Sequence, residues 1–183
     1  FVATEAEAEQ AAKMCLDTLQ AIAESGVRAN LSLKLTSLGL DVDRSIAMRN
    51  IRRIVEAARD RGLFVRIDME DYARCQATLD IYYALRAEYD NVGVVIQAYL
   101  YRTERDMEDL HAVQANLRLV KGAYKESPDV AFPVKKDVDD RFIRIIRQHL
   151  SNGHYTAIAT HDEAIVEGAL RHIRERGIAG NLF

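Results

Sequence analysis

Residues 118–124, RLVKGAY, set two permanent cations and a glycine at the end of a strand-like run. Leu117, Leu119 and Val120 have the apolar character of a buried strand, whereas Arg118 and Lys121 would be costly to bury without an anionic or electron-rich partner. Gly122 has no Cβ, so a flat ligand or another backbone can come close, and Tyr124 offers a ring for stacking. Two solvated charges on a β-turn would explain the same residues. Further polar residues close other strand-like segments: Lys34, Asp68, Gln97, and Thr160 with His161. Lys34 can pair with a carboxylate or form a Schiff base, and Asp68 can balance a cation or accept a substrate ammonium. Gln97 offers donor and acceptor to a heterocycle edge. Arg118 and Lys121 suit a ligand anion or negative charge developing on a ring, and Thr160 and His161 precede a helix start that suits a phosphate.

Plainer readings stand beside these. Lys34 and Asp68 can simply neutralise each other, His161 can be a capping-region histidine, and Glu70 and Asp71 read equally as a helix start. His111, His149, His154 and His172 read as surface or packing residues. No histidine pair has metal-ligand spacing, and Ser, His and Asp form no hydrolase signature, so no metal site is expected.

The elements that must position this set alternate between helical and strand-like periodicity. A first helix opens on a capping box, Thr4 to Glu7, carries Cys15, Leu16, Leu19, Ile22 and Ala23 on one stripe, and stops at Gly26. Strand-like residues 30–37 follow. A second helix runs from about Asp43 to Arg61 with Gly62 as its stop, then a strand over 63–69, and a third helix capped by Asp71 with Cys75, Leu79, Tyr82 and Leu85 on one face. A strand begins at Gly93, and Thr103 and Asp106 open a fourth helix. After RLVKGAY, residues 125–136 hold both prolines and read as a lid or binding loop. A fifth helix carries Phe142, Ile145, Ile146 and Leu150. Strand-like residues 155–160 then lead into a sixth helix capped by Asp162 and closed by Gly177, and residues 178–183 read as the start of another strand.

This rhythm is α/β with parallel strands and crossovers. Within strands, Leu31, Leu33 and Leu35 oppose Ser32, Lys34 and Thr36, and Val65, Ile67 and Met69 oppose Phe64, Arg66 and Asp68. A recurring polar face suits the lumen of a closed barrel better than an open sheet covered on both sides, and (β/α)8 barrels place active sites at the C-terminal strand ends. No GxGxxG opening supports a Rossmann reading. With 49% hydrophobic and 29% charged residues and a formal charge of −3, the 183-residue chain has ordinary globular composition and no basic field for nucleic acid. Cys15 and Cys75 suggest no disulfide framework, and no apolar run approaches the roughly 18 residues that span a bilayer.

Taken together, SLKLTS around Lys34, VRIDMED around Asp68, VVIQAYLYRT around Gln97, RLVKGAYKE around Arg118 and IATHDE around His161 resemble bacterial monofunctional proline dehydrogenases in order and spacing. The resemblance covers nearly the whole chain. It implies an incomplete (β/α)8 TIM-type barrel of about five βα units plus the start of a sixth strand. It implies non-covalent FAD and oxidation of L-proline to Δ1-pyrroline-5-carboxylate, with electrons passed to a membrane quinone. The enzyme would be cytoplasmic, with the full-length protein meeting the inner face of the membrane peripherally.

By the same resemblance, Asp68 and Arg118 match catalytic positions, and Lys34 and Tyr124 match substrate-binding ones. Met69, Gln97, Arg118, Lys121, Gly122, Ala123, Thr160 and His161 match flavin-binding ones. Residues 1–183 are expected to form a partial barrel domain, truncated at both ends, without the final helix whose tyrosine and arginines clamp proline. Exposed sheet edges, self-association and negligible turnover are expected of the isolated chain. Two alternatives remain at this level: a barrel lyase or aldolase using Lys34 or Lys121 as a Schiff-base amine, and a non-catalytic fragment acting only in binding.

Overall fold

The computed structural model describes residues 2–183, so Phe1 lies outside the described residues. They divide into two compact units, one up to Gly93 and one from Val94. Strand order follows sequence order, β1-β2-β3-β4-β5.

In the first unit, α1 (Glu5–Ser25) begins on the expected capping box: Thr4 Oγ1 accepts from Glu7 N at 3.2 Å and Glu7 Oε2 accepts from Thr4 N at 3.0 Å. Gly26, at φ 68°, ends it. The buried face is Ala8, Ala12 and Leu19; Ala23 is exposed and Cys15, Leu16 and Ile22 are only half-buried. The contact is drawn toward the N-terminal half because small alanines allow close approach there, and Arg49–Glu5 and Arg53–Glu9 ion pairs, each 2.7 Å, join α1 to α2 (Arg44–Arg59).

Strand β1 (Leu31–Leu33) is shorter than the expected run over 30–37. Glu70 explains the difference. Its carboxylate accepts from Thr36 N at 3.1 Å and Thr36 Oγ1 at 2.6 Å, which folds Thr36–Leu38 into a 3-10 turn closed by Gly39 at φ 100°. The Asp43 carboxylate caps α2 by accepting from Ser45 N at 2.6 Å. Strand β2 (Val65–Ile67) pairs parallel with β1, Leu31 against Val65 and Leu33 against Ile67. These apolar residues are buried. In α3 (Tyr72–Arg86), Cys75, Leu79, Tyr82 and Leu85 are buried as the periodicity predicts. Asp71 occupies the N-cap position without a side-chain cap bond; its carboxylate pairs instead with Arg74, which also reaches Asp41 at 2.6 Å.

Strand β3 (Val92–Gln97) continues into the second unit, where it pairs parallel with β4 (Leu117–Val120), which in turn pairs parallel with β5 (Thr156–Ile158). Helices α4 (Thr103–Ala112), α5 (Lys135–Ser151) and α6 (Glu163–Arg176) complete this unit, with Phe142, Ile145, Ile146 and Leu150 of α5 buried. The segment before α5 is pinned rather than loose. Leu100 and Ala131 form an antiparallel bridge, Phe132 N donates to Tyr99 O at 2.8 Å, and Tyr101 Oη donates to Pro128 O at 2.9 Å. Residues 178–183, expected to begin a strand, do not. Gly177 takes a left-handed cap, Ile178 N turns back to Ile173 O, and Gly180–Leu182 form a 3-10 turn, so the donors a strand would need are used locally.

At the opposite end of this unit from Gln97 and Lys121, His111, His149 and His154 pack together. His111 and His149 stack with ring centroids 5.3 Å apart, and His154 lies 5.5 Å from His149, so these three serve packing. His149 is fully buried. Burial, then the neighbouring His111 and His154, push its pKa down from 6.5 to about 3. Burial and His154 also lower that of His111, against an opposing pull from Glu108. Neutral rings therefore favour folding, a contribution fully present above the unfolded value and lost as pH falls below it toward the depressed folded values. Between about pH 6.5 and 5, His149 is expected to withdraw about 2 kcal/mol of stability. Denaturant titrations of the full-length protein should show that slope, and His149→Gln should flatten it; equal slopes would refute the assignment.

Candidate functional site

Alternation along β1 and β2 sends Ser32 and Arg66, partners in register, to the face opposite the buried leucines and isoleucine. Just past the two strands, Lys34 Nζ lies 3.2 Å from Asp68 Oδ2, and Ser32 Oγ donates to Asp68 Oδ1 at 2.8 Å. The lysine side chain is 48% exposed, the aspartate 24%. An ion pair this open contributes little to stability, so mutual neutralisation alone is a weak reason for both residues to be there. Arg66 is fully buried, its guanidinium 5.0 Å from the Phe64 ring centroid. Met69 is buried just beyond β2. The period-two pattern put Ser32 and Arg66 on this face; no local signal joined Glu70 to Thr36.

In the second unit the register sets Val95 beside Arg118 and Arg118 beside Ala157, while Gln97 pairs with Val120. Arg118 is thus half-buried within β4, level with Val95 and two residues below the level of Gln97 rather than at the strand tip. Gln97 is buried and ends β3, its carbonyl accepting from Thr103 Oγ1 at 2.6 Å. Gly122 has φ 118°, a conformation other residues rarely adopt. A Cβ there would lie 2.6 Å from Tyr99 Cγ, so the flat group that approaches this glycine is the chain's own Tyr99 ring. Ala123 and Tyr124 are exposed. Thr160 Oγ1 accepts from Asp162 N at 3.1 Å, and His161 is exposed beside it at the start of α6.

Lys121 is held between two carboxylates. Its Nζ lies 2.6 Å from Asp139 Oδ1 on α5 and 2.9 Å from Asp162 Oδ2 at the N-cap of α6. Partial burial opposes its charge, but the ion pairs with Asp139 and Asp162 outweigh that and hold its pKa above the ordinary value. Lys121 in turn lowers both carboxylates, with Lys135 assisting at Asp139. Asp162 was legible only as a helix cap. Asp139 was not legible at all, being one of two lysine–aspartate pairs spaced i,i+4 at the start of α5. Among the described residues, no group of three His, Cys, Asp or Glu could hold a metal ion.

Residues 1–183 match the family profile described as Proline dehydrogenase, and the chain belongs to that family. It is 48% identical over its whole length to Proline dehydrogenase 2 of Bacillus subtilis (strain 168), covering 60% of that protein. It is 44% identical to Proline dehydrogenase 1 of the same strain and 37% identical to Proline dehydrogenase of Deinococcus radiodurans, covering 61% of each. The chain thus spans about three fifths of the length of the curated relatives it matches. Its fold resembles the crystal structure of proline utilization A (PutA) from Bdellovibrio bacteriovorus inactivated by N-propargylglycine. That likeness has a TM-score of 0.87 at 22% identity, over 98% of this chain and 24% of that one. The five βα units are therefore of the (β/α)8 barrel class.

Proposed function

We propose that the full-length protein is a flavin-dependent proline dehydrogenase that oxidises L-proline to Δ1-pyrroline-5-carboxylate and passes two electrons to a membrane quinone. The observation that carries this reading is the donor set of the second unit, Gln97, Arg118 and Lys121, beside a glycine without Cβ and the exposed Ala123 and Tyr124. That set fits an isoalloxazine, whose ring edge carries carbonyl acceptors and whose reduction adds negative charge that cations stabilise. Within the second unit Gln97 can serve as donor and acceptor, Arg118 and Lys121 as fixed cations, Gly122 and Ala123 as walls, and Thr160 and His161 as polar contacts at the α6 start. Bound FAD would supply the two-electron acceptor for the hydride lost from proline C5, with the proton lost from the substrate nitrogen passing to solvent. Lys34 would meet the substrate carboxylate and Asp68, a catalytic residue, would hold the substrate ammonium; Tyr124 is a further substrate-binding residue.

A Schiff-base lysine needs a depressed pKa, and Lys121 is shifted the other way, which weighs against the lyase reading. No described helix is long and apolar enough to cross a membrane, and the reading makes the protein a cytoplasmic one that reaches its quinone peripherally at the inner face. Purified full-length protein should show the visible absorption of oxidised flavin, bleached by L-proline without air. A protein that is colourless and takes up no FAD on reconstitution would overturn the reading.

A further inference from the structure

We infer that Asp139 is a positioning residue: from α5 it holds the Lys121 ammonium, together with Asp162, in the place where that ammonium would serve a bound flavin. The inference rests on the flavin reading above. A lysine ends in a charge on a flexible four-carbon stem, so a fixed ammonium needs something to hold it. Here it stands 2.6 Å from Asp139 Oδ1 and 2.9 Å from Asp162 Oδ2, carboxylates supplied by two different helices. Exposure distinguishes Asp139 from its look-alike one residue on: Asp139 is 22% exposed and Asp140 is 61% exposed. Lys135 also pairs with Asp139, so the chain of charges Lys135, Asp139, Lys121 and Asp162 sums to zero. What Lys121 offers a ligand is therefore direction more than net positive field. An ammonium has three donors, and two carboxylates leave capacity for one more acceptor.

A double-mutant cycle on flavin-free full-length protein, read as the FAD dissociation constant by fluorescence quenching, tests this. Asp139→Ala and Lys121→Met should each raise it about tenfold. The double variant should be no worse than Lys121→Met, because Asp139 acts through Lys121. Asp139→Asn, which keeps an amide oxygen in place, should stay within about threefold of wild type. In the absence of flavin, acylation of Lys121 followed by peptide mass spectrometry should quicken in Asp139→Ala. If that variant does not fold, Asp139→Ser replaces it throughout. Additive losses in the double variant, or an unchanged dissociation constant in Asp139→Ala, would overturn the inference while leaving the flavin reading intact. Wild type that binds no FAD would overturn both.

Discussion

Asp68→Asn in the full-length protein is expected to lower proline-dependent flavin reduction by about a hundredfold, with little change in thermal stability. The geometry separates these two effects. The Lys34–Asp68 contact is 3.2 Å long with a lysine 48% exposed, so its loss removes little folding energy. The same carboxylate is nevertheless the shared acceptor for Ser32 and Lys34, and an asparagine can match neither its charge nor its two acceptor oxygens. Lys34→Met should act differently, raising the KM for proline about tenfold or more because, in the proposed function, it removes the cation for the substrate carboxylate. Ser32→Ala should cost only a few-fold, about one hydrogen bond. The double variant Lys34→Met, Asp68→Asn decides between a working pair and mutual neutralisation. A mutually neutralising pair regains near wild-type turnover when both charges go, whereas the catalytic reading demands that turnover stay low.

Features that depend on neighbours in sequence were legible in the chain, and features set by distant partners were not. Thr4 with Glu7, Gly26, Asp43 and Gly177 mark helix ends through hydrogen bonds or dihedral angles within a few residues, and each sits where its residue type predicts. Strand lengths depend on partners far along the chain. Nothing around Thr36 announces that Glu70 will take its amide and hydroxyl and curtail β1. The end of the chain misled for a related reason: the apolar residues Ile178, Leu182 and Phe183 look strand-like, but the Gly177 cap redirects their backbone. In the site, period-two alternation was enough to bring Lys34 to Asp68. It could not bring Asp139 to Lys121, because the sequence around Asp139 is satisfied by an ordinary helical pairing with Lys135. Gly122 was legible as a close approach, though not as an approach by Tyr99.

Gly122→Ala should therefore be among the most damaging single-atom changes available. Two independent costs meet there. At φ 118° an L-residue is strained, which costs about 1–3 kcal/mol, and the new methyl would sit 2.6 Å from Tyr99 Cγ and closer still to Cδ1 and Cε1. The ring has little freedom to yield. Tyr99 N donates to Lys121 O at 2.9 Å, Tyr99 O accepts from Phe132 N at 2.8 Å, and the residue is buried, so overpacking adds about 1–3 kcal/mol more. Denaturant unfolding of the flavin-free full-length protein should show a loss of about 2–6 kcal/mol, the sum of the two. FAD affinity should fall with it, since Gly122 separates Lys121 from Ala123 and Tyr124. Combining Gly122→Ala with Tyr99→Ala removes the clash but not the backbone strain, so against Tyr99→Ala alone the glycine substitution should cost only about 1–3 kcal/mol. A Gly122→Ala protein within about 1 kcal/mol of wild type would mean that the ring and the turn adapt, and that the glycine is required neither by Tyr99 nor by its own dihedral angle.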